Sequence, residues 1–153
     1  MTATTAGEAG GTTGTRTPPS LLYMIKQVEL VVRSHLEELM RPEGVTALQY
    51  TSLTVLERHD GLSAAQLARD SFVTAQSMAD LVRTLENRGL VRRERNPHNR
   101  RELLILLTDA GREVLARFAE PVRELEEQMV RDLTAHQARQ FRESLSKAWH
   151  ALS

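Results

Sequence analysis

The chain predicts a mainly α fold with one small β-hairpin, and three observations carry that prediction. Apolar side chains recur every three or four positions from Leu21 onward. Hydroxyl residues stand where those periodic stretches begin, several with a glutamine three positions later. Only within residues 90–107 does the helical spacing give way to two strand-like runs. With 153 residues, 41% hydrophobic and 26% charged, the composition suits one globular domain with a real core.

Residues 1–19 hold Thr, Gly and Ala and close on Pro18-Pro19, with no larger aliphatic side chain after Met1. They read as a disordered tail, without the charged start and apolar centre of a signal peptide, so a cytoplasmic location is expected. Leu21, Ile25, Val28, Val32, Leu36 and Leu39 then form one helical stripe that stops at Arg41-Pro42-Glu43-Gly44. Thr46 with Gln49 opens a second helix, with Leu48, Leu53 and Leu56 inward and His59-Asp60-Gly61 closing it. Ser63 with Gln66 opens a short third helix to about Asp70, Leu62 and Leu67 acting as its hydrophobic staple. Beyond Ser71-Phe72-Val73, Thr74 caps a fourth helix with Ala75, Met78, Leu81, Val82 and Leu85 inward and Gly89 at its left-handed end.

Residues 90–95 and 102–107 form the hairpin, joined by the polar turn Asn96-Pro97-His98-Asn99-Arg100-Arg101. Thr108 caps a long fifth helix carrying Val114, Leu115, Phe118, Val122, Leu125 and Met129 on one side, in which Pro121 predicts a kink. Thr134 with Gln137 opens the last helix, bearing Phe141, Leu145 and Leu152.

Several function classes fall away. Without cysteine there is no disulfide framework, thiolate nucleophile or Cys-ligated metal. The longest aliphatic run is residues 103–107, against about 18 residues for a membrane span, so no membrane partner is expected. The five histidines lack ligand spacing, so no metal is expected. No nucleophile elbow, His-Glu-x-x-His, phosphate-binding glycine loop or positioned carboxylate pair occurs, so the chain reads as no enzyme and needs no cofactor.

Twenty basic and twenty acidic residues balance overall, but not along the chain. Residues 83–101 hold seven arginines against Glu86 and Glu94, a local +5 that falls to +3 when Asp80 and Glu102 are included. A short helix, a turn of about three residues, a second helix and a basic hairpin is the order of a winged helix-turn-helix. The second helix, over 74–88, would enter the major groove and the wing, over 92–106, the neighbouring minor groove. Thr74, Gln76, Ser77, Asp80, Arg83 and Thr84 offer groups that hydrogen-bond base edges or phosphates. Arg95, His98, Arg100 and Arg101 would act from the wing.

The stretches Leu67-Ala68-Arg69, Met78-Ala79-Asp80-Leu81-Val82-Arg83-Thr84-Leu85-Glu86-Asn87-Arg88-Gly89-Leu90-Val91-Arg92-Arg93, Asn96-Pro97-His98-Asn99-Arg100-Arg101 and Leu106-Leu107-Thr108-Asp109-Ala110-Gly111-Arg112 resemble the MarR family of bacterial transcription regulators. The resemblance implies a homodimer that reads a pseudo-palindromic double-stranded DNA operator, and the chain is expected to block or redirect transcription there, in the first place as a ligand-responsive repressor. Residues 43–108 would be the DNA-binding lobe, and 20–42 and 109–153 the interleaved dimerisation helices. The apolar stripes of the first and last helices independently exceed what one small core covers. The resemblance also implies a small aromatic anion as effector, in a cleft between dimer helices and lobe that Tyr23, His35, Tyr50 and Trp149 could line. The missing cysteine excludes the thiol switch of the peroxide-sensing branch.

Two departures from the family pattern stand out. Asn96 and Asn99 occupy positions where the family usually has an acid bracing the wing arginines, which predicts a looser wing. Asp80 stands where a basic residue is common, either bracing Arg83 one turn on or accepting from a cytosine amino group. Asp80 and the zero net charge motivate an alternative, a winged-helix protein-interaction module without DNA binding; the clustered arginines stand against it.

Overall fold

A computed structural model describes residues 17–59 and 61–152, so the predicted tail lies outside the described residues as far as residue 16. The described residues form α1 (Leu21–Met40), a short 3-10 turn (Arg41–Glu43), α2 (Ala47–Glu57), β1 (Leu62–Ser63), α3 (Ala64–Asp70), α4 (Ala75–Asn87), β2 (Val91–Asn96), β3 (Asn99–Leu107), α5 (Asp109–Met129) and α6 (Ala135–Leu152). The three strands make one antiparallel sheet in the order β1-β3-β2. None of these helices is long and apolar enough to cross a membrane.

Local chemistry explains the helix starts. Side-chain oxygens of Ser20, Thr46, Ser63, Thr74, Thr108 and Thr134 each accept from the amide three residues on, supplying a partner to an otherwise orphaned first-turn donor. Gln49, Gln66 and Gln137 reach back to the cap amides of Thr46, Ser63 and Thr134, completing three capping boxes. Gly89 takes φ +70° just beyond α4, a conformation that disfavours any side chain.

The core lies between α2, α3, α4, the sheet and the first half of α5. Met40, Leu53, Leu56, Leu67, Met78 and Leu85 are at most 1% exposed, packed with Ile105, Leu107, Val114, Leu115 and Phe118. Leu36, Leu39 and Val122 pack against the edge of this core, but much of the remaining apolar surface of α1, α5 and α6 has no cover from the other described residues. Met40 is the only buried residue of α1, and α6 has none. In α5 burial ends at Phe118, and Met129 is 46% exposed. Pro121 lies inside α5, which continues helical past it.

Four expectations need correction. Leu62 and Ser63 do more than staple α3: they form β1, facing Ile105 and Leu104 of β3, a pairing that no local spacing encodes. Leu48 is exposed, because the buried arc of α2 runs through Ser52, Leu53, Val55 and Leu56. Ala75 is exposed, since the first turn of α4 projects beyond the core. The six-residue turn of the hairpin shrinks to Pro97 and His98: Asn96 pairs with Asn99 while Arg95 already faces Leu103, leaving residues 100–102 as a bulge in β3. Arg100 and Arg101 therefore stand on that bulge and not at the tip of a loop.

Candidate nucleic-acid interface

The sharp turn between α3 and α4 is held from inside. Val73 N donates to Ala68 O at 3.0 Å, and the buried Ser52 and Ser71 hydroxyls bond to each other at 3.2 Å, tying the turn to α2. Phe72 takes φ +57°, unusual for a bulky residue, and the residue is 80% exposed. The turn sets α4 with Met78, Leu81, Val82 and Leu85 in the core. The opposite face presents Gln76, Ser77, Asp80, Arg83 and Thr84, all exposed, with Thr74 at its N-terminal end.

Part of that face is engaged locally. Thr74 Oγ1 caps the helix and bonds Ser77 Oγ at 3.0 Å, and Thr84 Oγ1 donates to Asp80 O at 3.0 Å. Asp80 Oδ1 lies 3.3 Å from Arg83 Nη2, the geometry of the bracing role. Gln76 makes no side-chain hydrogen bond among the described residues.

The hairpin is fastened to α4 at its base. Arg93 Nε pairs with Glu86 Oε2 at 3.2 Å. Thr108 N donates to Leu90 O at 3.1 Å, and Thr108 Oγ1 donates to Gly89 O at 2.6 Å while accepting from Gly111 N. Thus the Leu-Thr-x-x-Gly stretch joins the end of α4, the sheet and the start of α5 in one knot.

Ion pairing redistributes the sequence's cation surplus. Arg83 is held by Asp80, Arg92 by Glu94 and Arg93 by Glu86, while Arg88 donates to two backbone carbonyls. The guanidinium groups of Arg95, Arg100 and Arg101 make no ion pair or hydrogen bond among the described residues, and all three side chains are exposed at the far end of the hairpin beside His98. Asn96 and Asn99 shape that end. Asn96 Oδ1 accepts from His98 N at 2.9 Å, Asn96 Nδ2 donates to Glu102 at 2.6 Å, and Asn99 Oδ1 accepts from Arg101 N at 3.2 Å. The asparagines thus brace the backbone of the wing in place of the arginine side chains.

Of the four residues suggested for an effector cleft, Trp149 lines the groove described below and Tyr23, His35 and Tyr50 do not. Tyr23 is exposed on α1, His35 half-buried on the same helix, and Tyr50 half-buried with its ring edge-on to Phe118 at 6.1 Å. Burial raises the Tyr50 hydroxyl pKa, with smaller contributions from Glu126 and Glu57. A groove of about 990 Å³ opens elsewhere, between α2, the α3–α4 turn, α5 and α6. Its apolar lining includes Val55, Phe72, Phe141 and Trp149, with Arg139 and Arg142 at its α6 side. Trp149 was legible as a lining candidate, whereas Phe72 and Phe141 gave no sequence signal beyond the turn and the apolar stripe that contain them.

The comparisons with known proteins agree with this architecture. A family model described as MarR family matches residues 43–102. The HTH-type transcriptional repressor Rv2887 of Mycobacterium tuberculosis is 34% identical over 125 residues, spanning 82% of this chain and 90% of that protein. The crystal structure of the M. tuberculosis MarR family protein Rv2887 in complex with salicylic acid superposes with a TM-score of 0.70 at 34% identity, covering 86% of this chain and 97% of that one. Wild-type apo MarR from E. coli shares the fold, with a TM-score of 0.76 at 22% identity over 86% of this chain and 98% of that one.

Proposed function

This chain belongs to the MarR family, and from that premise we propose that two copies form a dimer that represses transcription by binding a pseudo-palindromic DNA operator. Residues 43–108 are the DNA-binding lobe, with α4 in the major groove and the hairpin reaching the adjacent minor groove. Residues 20–42 and 109–153 supply the dimerisation helices. The observation that carries the reading is the unpaired trio Arg95, Arg100 and Arg101 at the far end of a hairpin whose base is fastened to α4, a helix that presents Gln76, Ser77, Asp80, Arg83 and Thr84 outward. A guanidinium entering a narrow minor groove gains from the concentrated negative potential there. The dimer is supported by α1, where Leu21, Leu22, Ile25, Val28 and Val31 are each at least 46% exposed, an apolar surface that calls for a partner.

The effector is a small aromatic anion held in the groove beside Trp149 and Phe141, with Arg139 or Arg142 meeting its charge. The salicylic acid complex of the relative supports this class of ligand. The groove runs between lobe and dimer helices, so a bound ligand would couple their relative orientation to DNA affinity.

The test is selection from randomised duplex DNA, followed by shift assays at two salt concentrations on the selected operator. Sequence-selective, salt-sensitive retention is expected. Arg101→Ala should weaken binding to all operator variants, most where the flanks are A·T-rich. Each ionic contact contributes about 0.9 to the salt slope, so losing one per wing should make the dimer's slope shallower by about 1.8. No retention at low salt would overturn the DNA reading, and an unchanged slope and affinity for Arg101→Ala would overturn the role of the wing.

A further inference from the structure

Side chains from α1, α5 and the end of α4 converge on the corner between α1 and α2. Arg88, the residue that follows α4, donates Nη1 to Gly44 O and Nη2 to Glu43 O, each at 2.7 Å. The carboxylate of the same Glu43 accepts from Nε and Nη2 of Arg117, in the middle of α5, at 3.0 and 3.2 Å. From α1, Glu37 Oε1 accepts from Ala47 N at 3.0 Å and closes the corner on its other side. One residue, Glu43, is therefore gripped by the end of α4 through its carbonyl and by α5 through its side chain.

We propose that Arg88 and Arg117 are positioning residues that lock the attitude of α4 relative to α1 and α5, and so set the half-site spacing the dimer accepts. This rests on the proposed DNA-binding function. The carbonyls of a terminal turn lack helical donors, and the negative end of α1 points at them, so a cation is favoured there. Only a guanidinium presents two donors at a fixed angle to two acceptors; an ammonium on a flexible stem cannot fix direction. The leverage is large. A helix of 13 residues is about 20 Å long, so a 10° tilt about its C-terminal end moves its N-terminus by about 3.4 Å, the rise of one base pair. Clamping α4 at its C-terminal end therefore controls where its DNA-facing N-terminal turn lands.

The experiment compares the full-length parent, Arg88→Lys and Arg117→Gln on the selected operator, on operators with one base pair inserted or removed between half-sites, and on an isolated half-site. The parent should lose roughly tenfold or more on either respacing. Both variants should lose affinity for native spacing, narrow the respacing penalty to within about threefold, and leave half-site binding near the parent's. Arg117→Gln alters an exposed pair and keeps the measurement available if Arg88→Lys folds poorly. A uniform loss on every DNA, half-site included, would make the cluster merely structural and overturn the proposal, as would an unchanged spacing profile. A parent without selective binding would remove the underlying DNA reading itself, and the proposal with it.

Discussion

Gly111→Ala sets two effects of opposite sign against each other. Gly111 lies in the first turn of α5, where helix propensity alone favours alanine by about 1 kcal/mol. Its added Cβ would stand 2.3 Å from Leu90 O and 2.6 Å from Leu107 Cδ1, whereas real Cβ contacts essentially never fall under 3.0 Å. The leucine tip can rotate away, but the backbone oxygen has to move by about 0.7 Å, the difference between 3.0 and 2.3. Leu90 is buried, its amide donates to Leu85 O, and the oxygen in question accepts from Thr108 N. Overpacking costs about 1–3 kcal/mol and a weakened hydrogen bond about 1 kcal/mol more. Set against the propensity gain, the net loss is about 1–3 kcal/mol. At this chain length that lowers the melting temperature by about 2–4 °C per kcal/mol. Urea denaturation followed by circular dichroism, at one fixed protein concentration, measures it. An alanine variant as stable as the parent, or more so, would refute the close approach of α5 to the end of α4.

Three further outcomes are expected. Asp80→Ala frees Arg83 from an exposed ion pair worth at most about 1 kcal/mol, so affinity for all operators should change together; selection profiles in which a single position relaxes would instead make Asp80 a base reader. Ile25→Asp with Val28→Asp places two charges on the uncovered face of α1 and should turn a dimer into monomer in sedimentation, whereas an undiminished dimer would move the interface elsewhere. For Tyr50, burial raises the folded-state pKa, so its stabilising contribution is complete below the unfolded value of about 10 and is lost as pH rises through the folded value. Unfolding free energies measured across that alkaline range should fall more steeply for the parent than for Tyr50→Phe, and parallel profiles would refute the shift.

Much of this protein is written in short-range chemistry. A cap hydroxyl and the amide it serves are three residues apart, so Thr46, Ser63, Thr74, Thr108 and Thr134 announce their helices without reference to the rest of the chain. Polar residues at helical spacing opposite Met78, Leu81 and Leu85 likewise define the outward face of α4. Apolar stripes on α1 and α6 too large for one core are visible in composition and spacing alone.

Partners distant in sequence had to be brought together by folding. Two-residue β1 exists only because Ile105 and Leu104 of β3 lie beside it, more than 40 positions later. Arg88 and Glu43 stand 45 residues apart, and no periodicity joins them. The cation surplus of residues 83–101 was countable, but which guanidinium groups remain without a partner depended on where Glu86, Glu94, Asp80 and the carbonyls that Arg88 reaches came to rest, leaving Arg95, Arg100 and Arg101 without one among the described residues. The sequence by itself determined the caps, the helical faces and the order of elements, because those interactions close within a turn of helix. Tertiary structure decided the third strand, the groove beside Trp149 and the arginines left without partners, because burial and ion pairing are properties of neighbours in space, which chain connectivity alone does not specify.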